Sequence, residues 1–228
     1  MGRFLLLLLL PVFIACSSLK TPVPQTEEEF RGVWVATVAN IDWPEHPADP
    51  WHKKQDDFLK ILNFYNKLRF NAVLVQVRTA GDALYPSKLA PWSRYLTAKE
   101  GDAGDLQQDP LKWMIDEAHK RGIEFHAWFN PYRATFDMQT ELLDPGHDFY
   151  QYPEWMVPYG TKYYYNPGIP EVREHLVNVV REVVARYNID GFHFDDYFYP
   201  YSIQGEVFQD STTYLSYGQP DQSLEDWR

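Results

Sequence analysis

Four short runs rich in β-branched and aromatic residues alternate along the chain with longer segments whose apolar positions recur at helical spacing. The runs are residues 30–38 (FRGVWVATV), 71–78 (NAVLVQVR), 124–131 (EFHAWFNP) and 191–197 (GFHFDDY), and each reads as a strand. Between them, residues 51–68 place Phe58, Leu59, Leu62, Tyr65 and Leu68 on one helical face. Residues 110–121 do the same with Leu111, Met114, Ile115 and Ala118, after Asp109 as an N-cap. Pro170 suits the first turn of a third helix, which Val172, Leu176, Val179, Val180, Val183 and Val184 continue to about Tyr187. The order βαβαβαβ predicts an α/β fold with parallel strands and right-handed helical crossovers, either a doubly wound sheet or a (β/α) barrel. No Gly-rich phosphate loop follows the first strand, which disfavours a dinucleotide fold, and no cofactor is expected.

Long segments rich in Pro, Gly, Asp and aromatics follow the first three strands, at residues 39–50, 79–108 and 132–169, whereas the returns from helix to strand are short. This asymmetry predicts one working face at the carboxyl ends of the strands. Strand side chains alternate between faces, so Val73, Val75 and Val77 are expected to meet helices, and Leu74, Gln76 and Arg78 to point the other way. Phe125, Ala127 and Phe129 likewise oppose His126, Trp128 and Asn130, and Phe192 and Phe194 oppose His193, Asp195 and Tyr197. One face is thus apolar, and the other gathers Gln76, Arg78, His126, Asn130, His193 and Asp195 into a common cavity. Asp196, adjacent to Asp195, belongs to the rim or to turn chemistry.

Composition narrows the functional classes. The chain is 45% hydrophobic and 17% aromatic, and 21 Lys+Arg against 32 Asp+Glu give a net charge of −11, which argues against binding a phosphate backbone and hence nucleic acid. A single cysteine excludes an intrachain disulfide framework and a Cys-rich zinc site. That cysteine, Cys16, closes an apolar stretch after Arg3, and Phe13-Ile14-Ala15-Cys16 resembles a bacterial lipobox. Residues 1–15 therefore read as a signal peptide, 16–29 as a lipidated tether, and 30–228 as the barrel domain. A protein so anchored through Cys16 is expected to be an exported envelope lipoprotein, and Ser17 weakly favours the outer membrane.

Asp195, beside His193 and within reach of a guanidinium from Arg78 or Arg133, is the candidate catalytic group: an ionised carboxylate can act as nucleophile or stabilise a cation. Sugars stack on aromatics and take hydrogen bonds from planar polar groups, and Trp43, Trp92, Trp128, Tyr132, Tyr164, Tyr197 and Tyr199 fall in or beside the right loops. Gln76, Arg78, His126, Trp128, Asn130, Arg133, His193, Asp196 and Tyr197 are the expected substrate contacts.

The segments FRGVWVATVANIDWP, NAVLVQVRTAGDALYPS, GIEFHAWFNPYR and IDGFHFDDYFYP together resemble the glycosyl-hydrolase-like 10 proteins. The resemblance implies a TIM-type barrel related to the amylase-like glycosidases, and an association with cleaving peptidoglycan glycan strands. It also implies that Asp195 of Gly191-Phe192-His193-Phe194-Asp195 is the nucleophile of a Gly-Phe-Arg-x-Asp motif, with His193 in place of the arginine. A closed (β/α)8 barrel usually takes about 250 residues, so four βα units read as half a barrel or a shortened chain. The general acid is not identified; Glu206, Asp210 and Glu225 are available carboxylates of unreadable phase. A non-catalytic glycan-binding lipoprotein remains an alternative, as does a metal-dependent hydrolase using His126, His193 and Asp195.

Overall fold

The computed structural model describes residues 29–195 and 198–228. The signal peptide, Cys16, the tether up to residue 28, Asp196 and Tyr197 lie outside the described residues.

Among the described residues, six strands and seven α-helices follow in the order β1 (Gly32–Val35), α1 (Trp51–Lys67), β2 (Ala72–Arg78), α2 (Arg94–Thr97), α3 (Pro110–His119), β3 (Glu124–Phe129), α4 (Asp148–Gln151), β4 (Met156–Tyr159), β5 (Lys162–Tyr165), α5 (Pro170–Arg186), β6 (Gly191–Phe194), α6 (Ser211–Tyr217) and α7 (Leu224–Trp227). Strands β1, β2, β3 and β6 form one parallel sheet in that order. Helices α1, α3 and α5 are the three long elements expected from periodicity, and their ends carry the expected chemistry: Asp109 accepts from Lys112 N at 3.1 Å, and Pro170 opens α5.

The helices cover the apolar face of the sheet. Phe58 and Leu62 of α1, Leu111, Met114, Ile115 and Ala118 of α3, and Val179 and Val183 of α5 share one buried cluster with Val73, Val75, Val77, Phe125, Ala127 and Phe129. The alternation expected for β2 holds through Gln76 and then breaks. Gln76 pairs with Trp128, but Arg78 pairs with Phe129, because the register slips by one residue between them. A slip of one residue exchanges faces. Arg78 therefore leaves the face of Gln76 and is buried on the helix side.

The sheet ends at β1 on one side and β6 on the other, and no closed barrel is present among the described residues. The strands are also shorter than the runs that announced them, notably β6, which stops at Phe194.

Residues 132–169, read from sequence as irregular, contain an antiparallel hairpin of β4 and β5, paired from Met156↔Tyr165 to Tyr159↔Lys162. Its turn uses Gly160 at φ +60°, a conformation glycine adopts at little cost. The hairpin is locked to the chain that leaves β3 by Ala134 N donating to Tyr163 O at 3.0 Å and Tyr165 N donating to Tyr132 O at 2.9 Å. Tyr165 packs with Ala134, Trp155, Val172 and Leu176, while Val157 and Tyr159 pack on Phe208. The loops that follow β3 and β6 are thus held together at the carboxyl end of the sheet.

Candidate active site

On the face opposite the helices, a row of polar side chains runs across the carboxyl ends of four strands. Gln76 Oε1 accepts from the backbone N–H groups of Thr37 and Val38, at 3.1 and 2.9 Å, and Thr37 Oγ1 donates to the Gln76 carbonyl at 2.7 Å. Gln76 Nε2 donates to Asn130 Oδ1, and Asn130 Nδ2 donates to Asp195 Oδ2. Strand pairing explains the juxtaposition: Gln76 pairs with Trp128 and Trp128 with His193, and Asn130 and Asp195 follow two residues after Trp128 and His193, on the same side of the pleat. Thr37, which links β1 to this row, carries no signal in sequence beyond its place at the end of the first run.

One layer deeper, His126 Nδ1 and His193 Nε2 lie 2.7 Å apart, and His126 Nε2 lies 2.9 Å from Glu124 Oε2. The Glu124 carboxylate can only accept, so His126 uses Nε2–H toward it, and in a neutral ring His126 Nδ1 accepts from His193 Nε2–H. Burial, and then the neighbouring His126, hold His193 below the usual imidazole range. Gly191 makes the ring pair possible: a Cβ there would stand 2.3 Å from His126 Nδ1. Trp128 completes this face, with Trp34 edge-on at 4.8 Å, and its buried Nε1 finds no partner among the described residues.

Six expected residues, Gln76, His126, Trp128, Asn130, His193 and Asp195, therefore meet on one face. Arg78 does not join them. Its guanidinium is fully buried, donating to Asp82 O and Tyr165 Oη at 3.3 Å each, and Tyr165 Oη in turn donates to Asp148 Oδ2 at 2.6 Å. His175 Nε2 lies 2.9 Å from the same Asp148 oxygen. Arg78 thus belongs to a buried ionic network behind the sheet, beside an apolar groove lined by Phe129, Leu176, Val180, Phe194 and Phe198. Arg133, from the loop after β3, donates to Thr79 O at 3.4 Å.

The aromatic expectations divide similarly. Trp43 is wholly buried against Trp51 and Phe58, with Nε1 donating to Lys54 O at 2.8 Å, so it packs rather than offering a sugar platform. Tyr132 and Tyr199, by contrast, line a cavity of about 500 Å³ with Arg173, Trp227 and Arg228. Trp227 and Arg228 were not singled out in sequence, because nothing in the last turn of the chain marks them as meeting Tyr132. Of the three available carboxylates, Asp210 is buried and bound by Arg228 Nε and Nη2, at 2.8 and 2.5 Å, and Glu206 accepts from Gly160 N at 2.7 Å. Among the described residues, no group of three or more His, Cys, Asp or Glu is arranged to hold a metal ion.

The fold is shared with solved structures of low sequence identity. An α-L-fucosidase isoenzyme 2 from Paenibacillus thiaminolyticus aligns with a TM-score of 0.54 at 15% identity, over 87% of this chain and 27% of that one. A hypothetical protein from Ruminiclostridium thermocellum aligns with a TM-score of 0.50 at 12% identity, over 84% and 93%. Curated relatives are much nearer in sequence. Glycosyl hydrolase YngK of Bacillus subtilis is 44% identical over 99% of this chain and 44% of its own length. Glycosyl hydrolase DigH of Escherichia coli K12 is 38% identical over 90% of this chain and 49% of its own. The chain thus spans about half the length of these relatives. The family profile described as Glycosyl hydrolase-like 10 matches residues 29–228, the whole sheet together with the row of side chains that ends on Asp195, and the chain belongs to that family.

Proposed function

We propose that this chain carries part of a glycoside hydrolase that acts on a cell-envelope polysaccharide, the glycan strands of peptidoglycan, with Asp195 as nucleophile or cation stabiliser. The observation that carries this reading is the position of Asp195. It stands at the carboxyl end of the last sheet strand, bonded by Asn130, on the face that also holds the His126–His193 pair. Family membership and the glycosidase names of the relatives support the reaction class. A carboxylate there can stabilise the positive charge that develops at an anomeric carbon. The Tyr132–Tyr199 cavity, with its two guanidinium groups, suits a ring face and its hydroxyls. In the whole protein the sheet is expected to close into a (β/α)8 barrel. Cys16 is expected to carry lipid and hold the protein on the envelope side of a membrane, and Cys16→Ser should release it to the soluble fraction.

The test is Asp195→Asn in protein supplied with purified glycan strands. The substitution keeps size and removes charge, so soluble-fragment release should fall about a hundredfold, the scale of losing one electrostatic stabiliser, while glycan binding survives. Release at the native rate overturns the assignment. Turnover absent from the native protein, with binding intact, favours the glycan-binding alternative.

A further inference from the structure

The row from β1 to Asp195 has a direction, and the direction is set at its far end. The backbone N–H groups of Thr37 and Val38 can only donate. Both reach one atom of the Gln76 side chain, so that atom must be the amide oxygen, and the Gln76 NH₂ must face β3. A donor facing β3 requires an acceptor there, which pins Asn130 with Oδ1 toward Gln76 and Nδ2 toward Asp195. Asp195 Oδ2 is therefore met by a donor. A donor bonds a charged oxygen more strongly than the carbonyl oxygen of a neutral acid, so the row favours the carboxylate over the acid. Thr37, Gln76 and Asn130 are all buried, which leaves little water to substitute for a turned amide.

We propose that Gln76 and Asn130 are positioning residues that hold Asp195 as a carboxylate by relaying amide polarity from the β1 backbone, rather than contacts that read the sugar. This rests on the reading of Asp195 as the working carboxylate. It gives Gln76 an effect on Asp195 that is carried through Asn130.

The experiment is a carboxyl ¹³C NMR titration of Asp195 in the whole protein, labelled at aspartate and assigned with Asp195→Asn. Asn130→Ala should raise the Asp195 midpoint by about one pH unit, the lower range for losing one hydrogen bond to the charged form. Gln76→Met, which removes both polar ends at similar size, frees Asn130 to turn. It should raise the midpoint by a smaller, measurable amount in the native background and by nothing in the Asn130→Ala background. Equal shifts in both backgrounds, or no shift with Asn130→Ala, overturn the relay. A second measurement needs no variant: the side-chain ¹⁵N resonance of Asn130, and more weakly that of Gln76, should move with the Asp195 midpoint. A flat Asn130 resonance also overturns the proposal. All of these readings are taken without substrate. A broken relay therefore leaves the glycosidase assignment standing, and an intact relay in a protein without turnover counts against that assignment alone.

Discussion

Glu100 and His147 sit in the buried space where the loop after β2 meets the loop after β3, and they respond to pH in opposite senses. Burial pushes the Glu100 carboxyl up to about 8, with the Asp82 charge adding to the effect, although Asp144 N donates to Glu100 Oε1 at 3.0 Å. Between about 4.5 and about 8 the unfolded chain gives up a proton that the folded chain keeps, so this group makes stability fall as pH rises through that window. Glu100→Gln keeps the acceptor for Asp144 N and removes the titration. Its stability advantage over the native chain, measured by urea unfolding, should grow from pH 4.5 to 8 and then level. Burial lowers His147 to about 4, and its Nδ1 accepts from Phe149 N at 2.9 Å, a bond that protonation would forfeit. Between about 6.5 and about 4 the unfolded chain takes up a proton that the folded chain refuses, so this group makes stability fall as pH falls. A His147→Gln variant should lose that acid-side slope in the same urea series.

At the scale of elements, Lys54 of α1 shows how a charge can organise a loop. It is buried, its ammonium donates to Pro47 O at 2.8 Å and Leu96 O at 2.6 Å, and burial lowers its pKa. Lys54→Met would leave the buried Leu96 carbonyl and the part-buried Pro47 carbonyl unpaired and should cost about 2–4 kcal/mol in thermal or urea unfolding, at roughly 1–3 kcal/mol for the buried group and about 1 kcal/mol for the one that water still reaches. Asp109 does two tasks, capping α3 and accepting from Tyr187 Oη at 2.6 Å, so Asp109→Ala should cost about 1–2 kcal/mol in the same assay. Helices α1, α3 and α5 were legible because their apolar spacing, caps and prolines act within a few residues of chain. The β4–β5 hairpin lies inside residues 132–169, which read as irregular because Pro, Gly, Asp and aromatics dominate the segment and the two runs flanking Gly160 and Thr161 are only four residues each. Arg78 was misplaced for a different reason. The slip after Gln76 is a property of how β2 pairs with β3, and no periodicity inside β2 encodes it.

At the scale of the whole molecule, sequence alternation located Gln76, His126, Asn130, His193 and Asp195 on one face because a parallel sheet enforces a period of two. It could not supply the Tyr132–Tyr199–Trp227 cavity, which depends on segments that meet only in three dimensions. Two sheet edges, β1 and β6, stand unpaired among the described strands, and Trp34 and Phe194 beside them are well exposed. The 228-residue chain on its own should therefore self-associate with rising concentration, as sedimentation velocity would show, because unpaired parallel edges template further strands. The polar row across the sheet bears on the order of folding as well. Its bonds span 39, 54 and 65 residues, so none can form from local structure, and the last waits for β6 to dock. A partly folded intermediate with β1, β2 and β3 assembled would hold Gln76 and Asn130 already aligned, with one amide facing an empty place. The carboxylate would acquire its environment only when β6 docks, so a chain trapped before that step would carry the same sequence yet lack the group poised for chemistry.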